Sequence, residues 1–246
     1  MCASGSSTTG FSRIYLYDHN STVPLSNEIP EFVTKGFVHY VNFSAAHRKF
    51  KEGYTSDLER FMSTVQGQAY AHCVANFGKH HTFLGFIDLD EFVILYDESV
   101  RHIDAFLREY ETFPGVSLYW ILLGSSGHKT RPTGGVVDSY TACTPRNHKF
   151  NTQFKTFVNT RFRPTMYSPH RAVFGLPADP ATGLEPYMVD ENKRRIARGR
   201  NKNSTHARAA VFHYVIKSEQ DFKEKMERGG GAGVTRPKYY FELMDK

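Results

Sequence analysis

Apolar runs of two periods alternate along the chain. RIYLYD (13–18), FVHYVNF (37–43), FLGFID (83–88), FVILY (92–96), VSLYWILL (116–123) and AVFHYVI (210–216) are short and rich in β-branched and aromatic residues. Such runs predict strands. Between them the period lengthens to that of a helix. Ser56 opens a predicted helix with capping-box spacing to Glu59, and Leu58, Phe61, Met62, Val65, Ala69 and Cys73 share its face until Gly78 ends it. A second helix is predicted over 99–110, with Val100, Ile103, Phe106, Leu107 and Tyr110 on one stripe, and a third from Ser218 to Arg228, closed by the glycines 229–231. From 124 to 209 the pattern weakens into glycine, proline and basic residues. Alternating elements followed by irregular chain predict an α/β sheet whose C-terminal half supplies loops over one edge.

Composition narrows the picture only in part. A chain of 246 residues has room for one large domain or two small ones. The 20 Phe and 14 Tyr make ring packing or stacking prominent, and the net charge of +6 favours anionic partners without choosing among them. Cys2, Cys73 and Cys143 are odd in number and far apart, which suggests neither a metal site nor a disulfide framework and leaves the compartment open. No apolar run approaches a membrane span, and MCASGSSTTG lacks the basic and apolar regions of a signal peptide. Asn20, Asn42 and Asn203 head N-x-S/T triplets, close to what ten asparagines produce by chance.

The candidate chemistry begins with FLGFIDLDEFVIL (83–95), where Asp88, Asp90 and Glu91 interrupt an apolar run. Buried carboxylates are costly unless they are paired or bind a metal. In an extended chain Asp88 and Asp90 point one way and Leu89 and Glu91 the other. Two carboxylates at the end of a buried strand occupy the edge where open α/β sheets hold ligands. Oxygen donors without neighbouring Cys or His suit Mg²⁺ or Mn²⁺. A structural cluster neutralised by Arg or Lys is the alternative.

IYLYDHNST, GQAYAHC, FLGFIDLDEF, YWILLGSSGHKTRPTGGV, FKTFV and HYVIKSEQDFKEKMERG follow one another in an order that resembles glycosyltransferase family 92, over about residues 11 to 230. The resemblance implies a GT-A fold: a Rossmann-like, mostly parallel central sheet flanked by helices, with a loop-rich C-terminal half. Residues 11–246 would form that single domain behind a disordered tail of 1–10, without the family's first strand and membrane anchor. It further implies metal-dependent, inverting transfer of a sugar, often galactose in known members, from a nucleotide-diphosphate donor such as a UDP-sugar to a glycan or glycoprotein acceptor. Mn²⁺ or Mg²⁺ would be the cofactor, and a Golgi or secretory membrane the location.

By that resemblance, Asp88, Asp90 and His213 hold the metal, with His170 as second choice to His213. Asp18, Asp88, Trp120, Gly124, Ser125, Ser126 and Lys155 face the donor. Each has a structural alternative: an Asx-type turn for Asp18, a plain glycine turn for GSSGH, core packing for Trp120 and His213, a solvated surface for Lys155, a supporting role in the fold for Glu91. The acceptor base is sought among Asp138, Glu185, Asp190 and Glu191. Asp190 and Glu191 are preferred because they adjoin KRRIARGRNK (193–202), a basic run suited to covering a diphosphate. No nucleic acid is expected on this reading. The competing expectation, from the same basic run, the net charge and the aromatics, is a nucleic-acid-binding protein. A third is a catalytically inactive remnant of the enzyme.

Overall fold

The computed structural model describes residues 6–7, 10–45, 56–196, 204–229 and 239–245. Its first half contains β1 (Ser6–Ser7), β2 (Ile14–Asp18), α1 (Pro30–Thr34), β3 (Val38–Asn42), α2 (Asp57–Met62), α3 (Val65–Phe77), β4 (Phe83–Gly85), β5 (Glu91–Leu95), α4 (Ile103–Arg108) and β6 (Gly115–Leu122). The second half contains α5 (Val136–Ser139), β7 (Phe154–Asn159), β8 (Pro164–Met166), β9 (Ala172–Phe174), β10 (Met188–Asp190), β11 (Ala209–His213), α6 (Glu219–Arg228) and α7 (Tyr239–Met244).

The longest apolar strand, β6, is the spine of a sheet ordered β1-β5-β11-β6-β7-β4. One edge of β6 pairs antiparallel with β7. The other edge is shared by two parallel strands, β10 over Gly115–Ser117 and β11 over Trp120–Leu122. Parallel pairing stops there: β1–β5, β5–β11 and β4–β7 are antiparallel. The fold is therefore mixed α/β, a correction to the mostly parallel sheet expected. β2 and β3 form a separate parallel pair, and β8 and β9 a small antiparallel one.

Both faces of the sheet are covered. Phe106 and Tyr110, from and just beyond α4, pack with Val116, Leu118, Phe157, Val189 and Val211 on one side. Ile94, Ile121, Leu123, Phe212 and Tyr214 pack with Tyr140 on the other. Each such side chain contributes roughly 1.5–3 kcal/mol when fully buried.

Three local differences from expectation matter. The helix predicted from Ser56 to Gly78 is two helices: Thr64 caps α3 by accepting from the Gly67 N–H at 3.0 Å. At this corner a Cβ on Gly67 would stand 2.0 Å from the Phe61 carbonyl, so only glycine fits. Strand β7 was hidden by its polar residues; Lys155, Thr156 and Asn159 are all buried. Ser6–Ser7, inside the expected tail, pair with Ile94–Leu95.

Residues 197–202 of the basic run and Asn203 lie outside the described residues. Cys73 is a free, buried thiol and Cys143 is disulfide-bonded, which amends the expectation drawn from cysteine spacing. Among the described residues no helix is long and apolar enough to cross a membrane.

The strand directions create one chemically rich edge. β6 and β11 run parallel and finish together, with His213 beside Leu122. β5 runs oppositely, which sets Glu91 across from His213. β7 begins across from Tyr119, further back along β6, and Lys155, across from Leu118, reaches Glu91 through its long side chain.

Candidate active site

The acidic motif is a turn rather than the end of a strand. β4 stops at Gly85, and the Glu91 N–H donates to the Asp88 carbonyl at 3.0 Å, closing a four-residue turn. Leu89 stands at its tip, 76% exposed. The expected alternation of side chains therefore does not apply. Glu91 folds beneath the turn, where its Oε2 accepts from the Asp88 N–H at 2.9 Å.

Two lysines neutralise the turn. Lys155, with no side-chain exposure, places Nζ 2.9 Å from Asp88 Oδ2 and 3.2 Å from Glu91 Oε2. Burial works against its charge, but Tyr70, Glu91 and Asp88 outweigh it and hold the ammonium above the usual lysine range. Gln66, in the first turn of α3, donates to Asp88 Oδ1 at 3.3 Å and to the Tyr70 hydroxyl at 3.1 Å. Lys225 of α6 donates to Asp90 Oδ2 at 2.9 Å. Burial would raise the Asp90 carboxyl, but His213 and Lys225 prevail and hold it well below the carboxylate range. Burial pushes Glu91 upward against the opposing pull of Lys155.

His213 ends β11 between the two remaining carboxylate oxygens. Its Nε2 lies 3.6 Å from Asp90 Oδ1 and its Nδ1 3.8 Å from Glu91 Oε1. Glu91 Oε1, His213 Nδ1 and Trp120 Nε1 are buried and, among the described residues, have no hydrogen-bond partner. The Trp120 ring packs edge-on between His213, at 4.4 Å, and His170, at 5.2 Å. His170 pairs through Nδ1 with the Phe154 carbonyl at 2.8 Å. Burial, with Lys155 nearby, pushes its pKa down to about 4.

The donor set suits a hard divalent ion only in part. Among the described residues no three of His, Cys, Asp and Glu stand ready to ligate together. Asp90 and His213 come nearest to such a set, with Oδ1 and Nε2 3.6 Å apart. Their facing atoms are too far apart for a hydrogen bond, and donors sharing an octahedral ion at about 2.1 Å stand about 3 Å apart. Glu91 Oε1 lies 3.8 Å behind His213 Nδ1, beyond hydrogen-bond reach, on the side where metal-bound imidazoles commonly have a carboxylate partner. Two protein ligands are enough where substrate phosphates complete the shell. Asp88 is held elsewhere, by Lys155 and Gln66.

The family model described as Glycosyltransferase family 92 matches residues 6–228, from β1 to the last residue of α6. The chain belongs to glycosyltransferase family 92. Comparison with curated proteins gives no match. Family membership makes glycosyl transfer the class of activity, with a sugar donor and an acceptor as its partners. The acidic turn, Lys155, His213 and Lys225 all fall inside the matched span.

Other residues expected at the site are hydrogen-bonded within the chain. Asp18 accepts from the Leu25 N–H at 3.0 Å, the Ser21 N–H at 3.3 Å and the Tyr40 hydroxyl at 2.8 Å. These bonds, led by Ser21, hold its pKa down to about 2. It anchors the loop after β2. The segment after β6 is likewise consumed internally: the Ser125 N–H donates to Asp245 at 2.6 Å, and Ser126 Oγ accepts from the Thr141 and Ala142 N–H groups at 2.9 and 3.0 Å. A Cβ on Gly124 would stand 3.1 Å from that same Asp245.

Asp190 and Glu191 are both buried, which does not suit an acceptor base. Asp190 Oδ1 accepts from the Asn192 and Arg194 N–H groups, both at 2.9 Å, and Oδ2 pairs with Arg194. Glu191 accepts from Thr205 Oγ1 at 2.8 Å and from the Ala207, Arg208 and Ala209 N–H groups at the start of β11. Four residue steps of about 3.3 Å put that end of β11 roughly 13 Å from His213. Asp138 and Glu185 are exposed, on α5 and in the loop before β10. Gln66, Tyr70 and Lys225 were missed because each lies on a helix whose polar face reads as solvated.

Proposed function

We propose that this chain moves a sugar from a nucleoside-diphosphate donor, a UDP-sugar such as UDP-galactose, to a hydroxyl of a glycan or glycoprotein, with inversion and with Mn²⁺ or Mg²⁺ at Asp90 and His213. The observation that carries it is the pair Asp90 Oδ1 and His213 Nε2, 3.6 Å apart where β11 ends. When bound, such an ion acts as a Lewis acid on the departing diphosphate.

The chain's own residues prepare the place. Asp90 is ionised throughout the physiological range, because His213 and Lys225 outweigh its burial. Lys155 is a positioning residue in this account: buried between Asp88 and Glu91, it fixes the shape of the turn instead of meeting phosphate. Trp120, against His213 and His170, offers an apolar wall beside the ligands. Inversion needs a base on the face opposite the leaving group. Asp190 and Glu191, buried and engaged by backbone N–H groups, do not suit that role.

The competing nucleic-acid reading draws no support from the described part of the basic run. The described cations of the basic run already have partners in the chain: Lys193 over the Tyr110 ring at 5.7 Å, Arg194 on Asp190 at 3.2 Å, and Arg195 over the Tyr187 ring at 4.7 Å.

Calorimetric titration of UDP and UDP-galactose, with and without Mn²⁺, tests the proposal in wild type and Asp90→Asn. Binding is expected to require the metal and to fall in the variant by at least the 10- to 100-fold, roughly, that losing even an outer partner costs. Tight binding without metal, untouched by Asp90→Asn, would refute it.

A further inference from the structure

The carboxylate proposed to take a divalent cation already holds a monovalent one. Lys225 Nζ donates to Asp90 Oδ2 at 2.9 Å and to the Val215 carbonyl at 3.2 Å. The placement is built into the fold. Ser218 and Asp221 cap α6 reciprocally, the Tyr140 hydroxyl donates to Asp221 at 3.0 Å, and Arg131 bridges Asp221 and Glu224. Phe222 is buried on the inner side of the same helix. The helix is thus pinned while Lys225, its side chain 31% exposed, hangs from a flexible four-carbon stem. Lys155 differs, having no exposure and two carboxylate partners.

An ammonium and a divalent ion cannot both sit against Asp90. Like charges a few ångströms apart repel strongly in a partly buried site, where salt screens them poorly. Binding of the ion must therefore expel the ammonium, whose tether keeps it within reach of whatever the ion binds next. We propose that Lys225 stands in for the divalent cation at Asp90 in the nucleotide-free protein and, once displaced, pairs with the diphosphate of the donor. This rests on the metal-dependent function proposed above. It makes Lys225 the coupling element between metal and nucleotide. Metal alone must push the ammonium into water, whereas metal with nucleotide gives it an anionic partner. Each ligand therefore strengthens the other by the same factor.

The test is calorimetry on the whole chain. Mn²⁺ is titrated into wild type, Lys225→Met and Lys225→Arg without nucleotide, and UDP is then titrated at saturating Mn²⁺. Lys225→Met should bind Mn²⁺ alone about tenfold tighter and UDP about tenfold weaker, in the ordinary range of coupling between sites. Lys225→Arg should stay near wild type in both. A merely structural lesion would weaken both ligands, so the opposite signs identify the role; Lys225→Gln repeats the measurement should the Met variant fold poorly. The inference alone is overturned if wild type binds Mn²⁺ through Asp90 but neither neutral variant binds it tighter. If wild type binds no Mn²⁺ at all, the metal site falls and this inference falls with it.

Discussion

Lys155→Met removes the ammonium 2.9 Å from Asp88 and 3.2 Å from Glu91 while leaving most of the buried stem's volume in place. The two carboxylates respond differently. Asp88, with 41% of its side chain exposed, rehydrates at little cost. Glu91 has no exposed side chain, and among the described residues keeps the Asp88 N–H and the His213 ring beside it. At an effective dielectric of about 20, charges at this separation attract by about 5 kcal/mol, an upper bound on the loss. Breaking a buried pair from one side costs about 3–5 kcal/mol in practice.

Glu91 has an escape, because a buried carboxyl can take a proton. Its pKa is already raised above 4.5 by burial, and without Lys155 it climbs further. The folded state then holds a proton that the unfolded state has released, so stability falls as pH rises above 4.5, until the folded carboxyl ionises. Relative to wild type, Lys155→Met should lose about 3 kcal/mol at pH 8 and distinctly less at pH 5. The larger loss corresponds to a melting point lower by about 6–12 °C in a chain of this size. Urea unfolding at both pH values reads it directly. Lys155→Met with Glu91→Gln should recover most of the loss, since a neutral amide needs no counter-charge. A loss under about 1 kcal/mol at pH 8, a loss independent of pH, or no recovery in the double variant would refute the account.

Two further outcomes follow from the hydrogen bonds and burial. Glu191→Gln turns one acceptor atom into a donor against the N–H groups of β11, and should cost about 1–3 kcal/mol in urea unfolding while UDP affinity of the folded protein stays unchanged; intact stability with lost turnover would restore it as a catalytic candidate. His170, whose pKa burial and Lys155 push down to about 4, should show a neutral imidazole by ¹⁵N NMR from pH 5 upward. Between pH 4 and 6.5 the unfolded chain binds the proton and the folded chain does not, so this group removes stability as pH falls through that window. Titration near 6.5 in the folded protein would contradict it.

The strands that were legible are those dominated by β-branched, aliphatic and aromatic residues. β2, β3, β4, β5, β6 and β11 all start within a residue of the apolar runs that predicted them, although single polar residues such as His39 and Ser117 lie inside two of them. β7 was not legible because Lys155, Thr156 and Asn159 are buried with partners drawn from elsewhere in the chain: Lys155 on Asp88, Thr156 on the Ser117 hydroxyl, Asn159 on the Glu111 and Phe113 carbonyls. The break between α2 and α3 escaped for a related reason. Leu58, Phe61, Val65 and Ala69 keep one helical phase across it, while the close approach of Gly67 to the Phe61 carbonyl is a backbone contact that side-chain pattern does not encode. Strand direction was least accessible. Whether β5 runs with or against β11 depends on the path of more than a hundred intervening residues, and apolar period reports burial, not heading.

At the site, the cost of the three acidic residues was visible in the sequence, but the identity of what offsets it was not. A lysine and a divalent cation meet the same electrostatic demand, and local sequence contains no term that separates them. Burial separates the two lysines. Lys155 is sealed, touches both Asp88 and Glu91, and cannot leave without stranding Glu91. Lys225 touches Asp90, shares its remaining bond with a carbonyl, and keeps a path to water. The turn therefore has one sealed counter-charge and one with access to water. The accessible one lies on the aspartate whose other oxygen faces His213. On the metal-dependent function proposed above, that asymmetry is what lets a divalent ion replace the second lysine without disturbing the first.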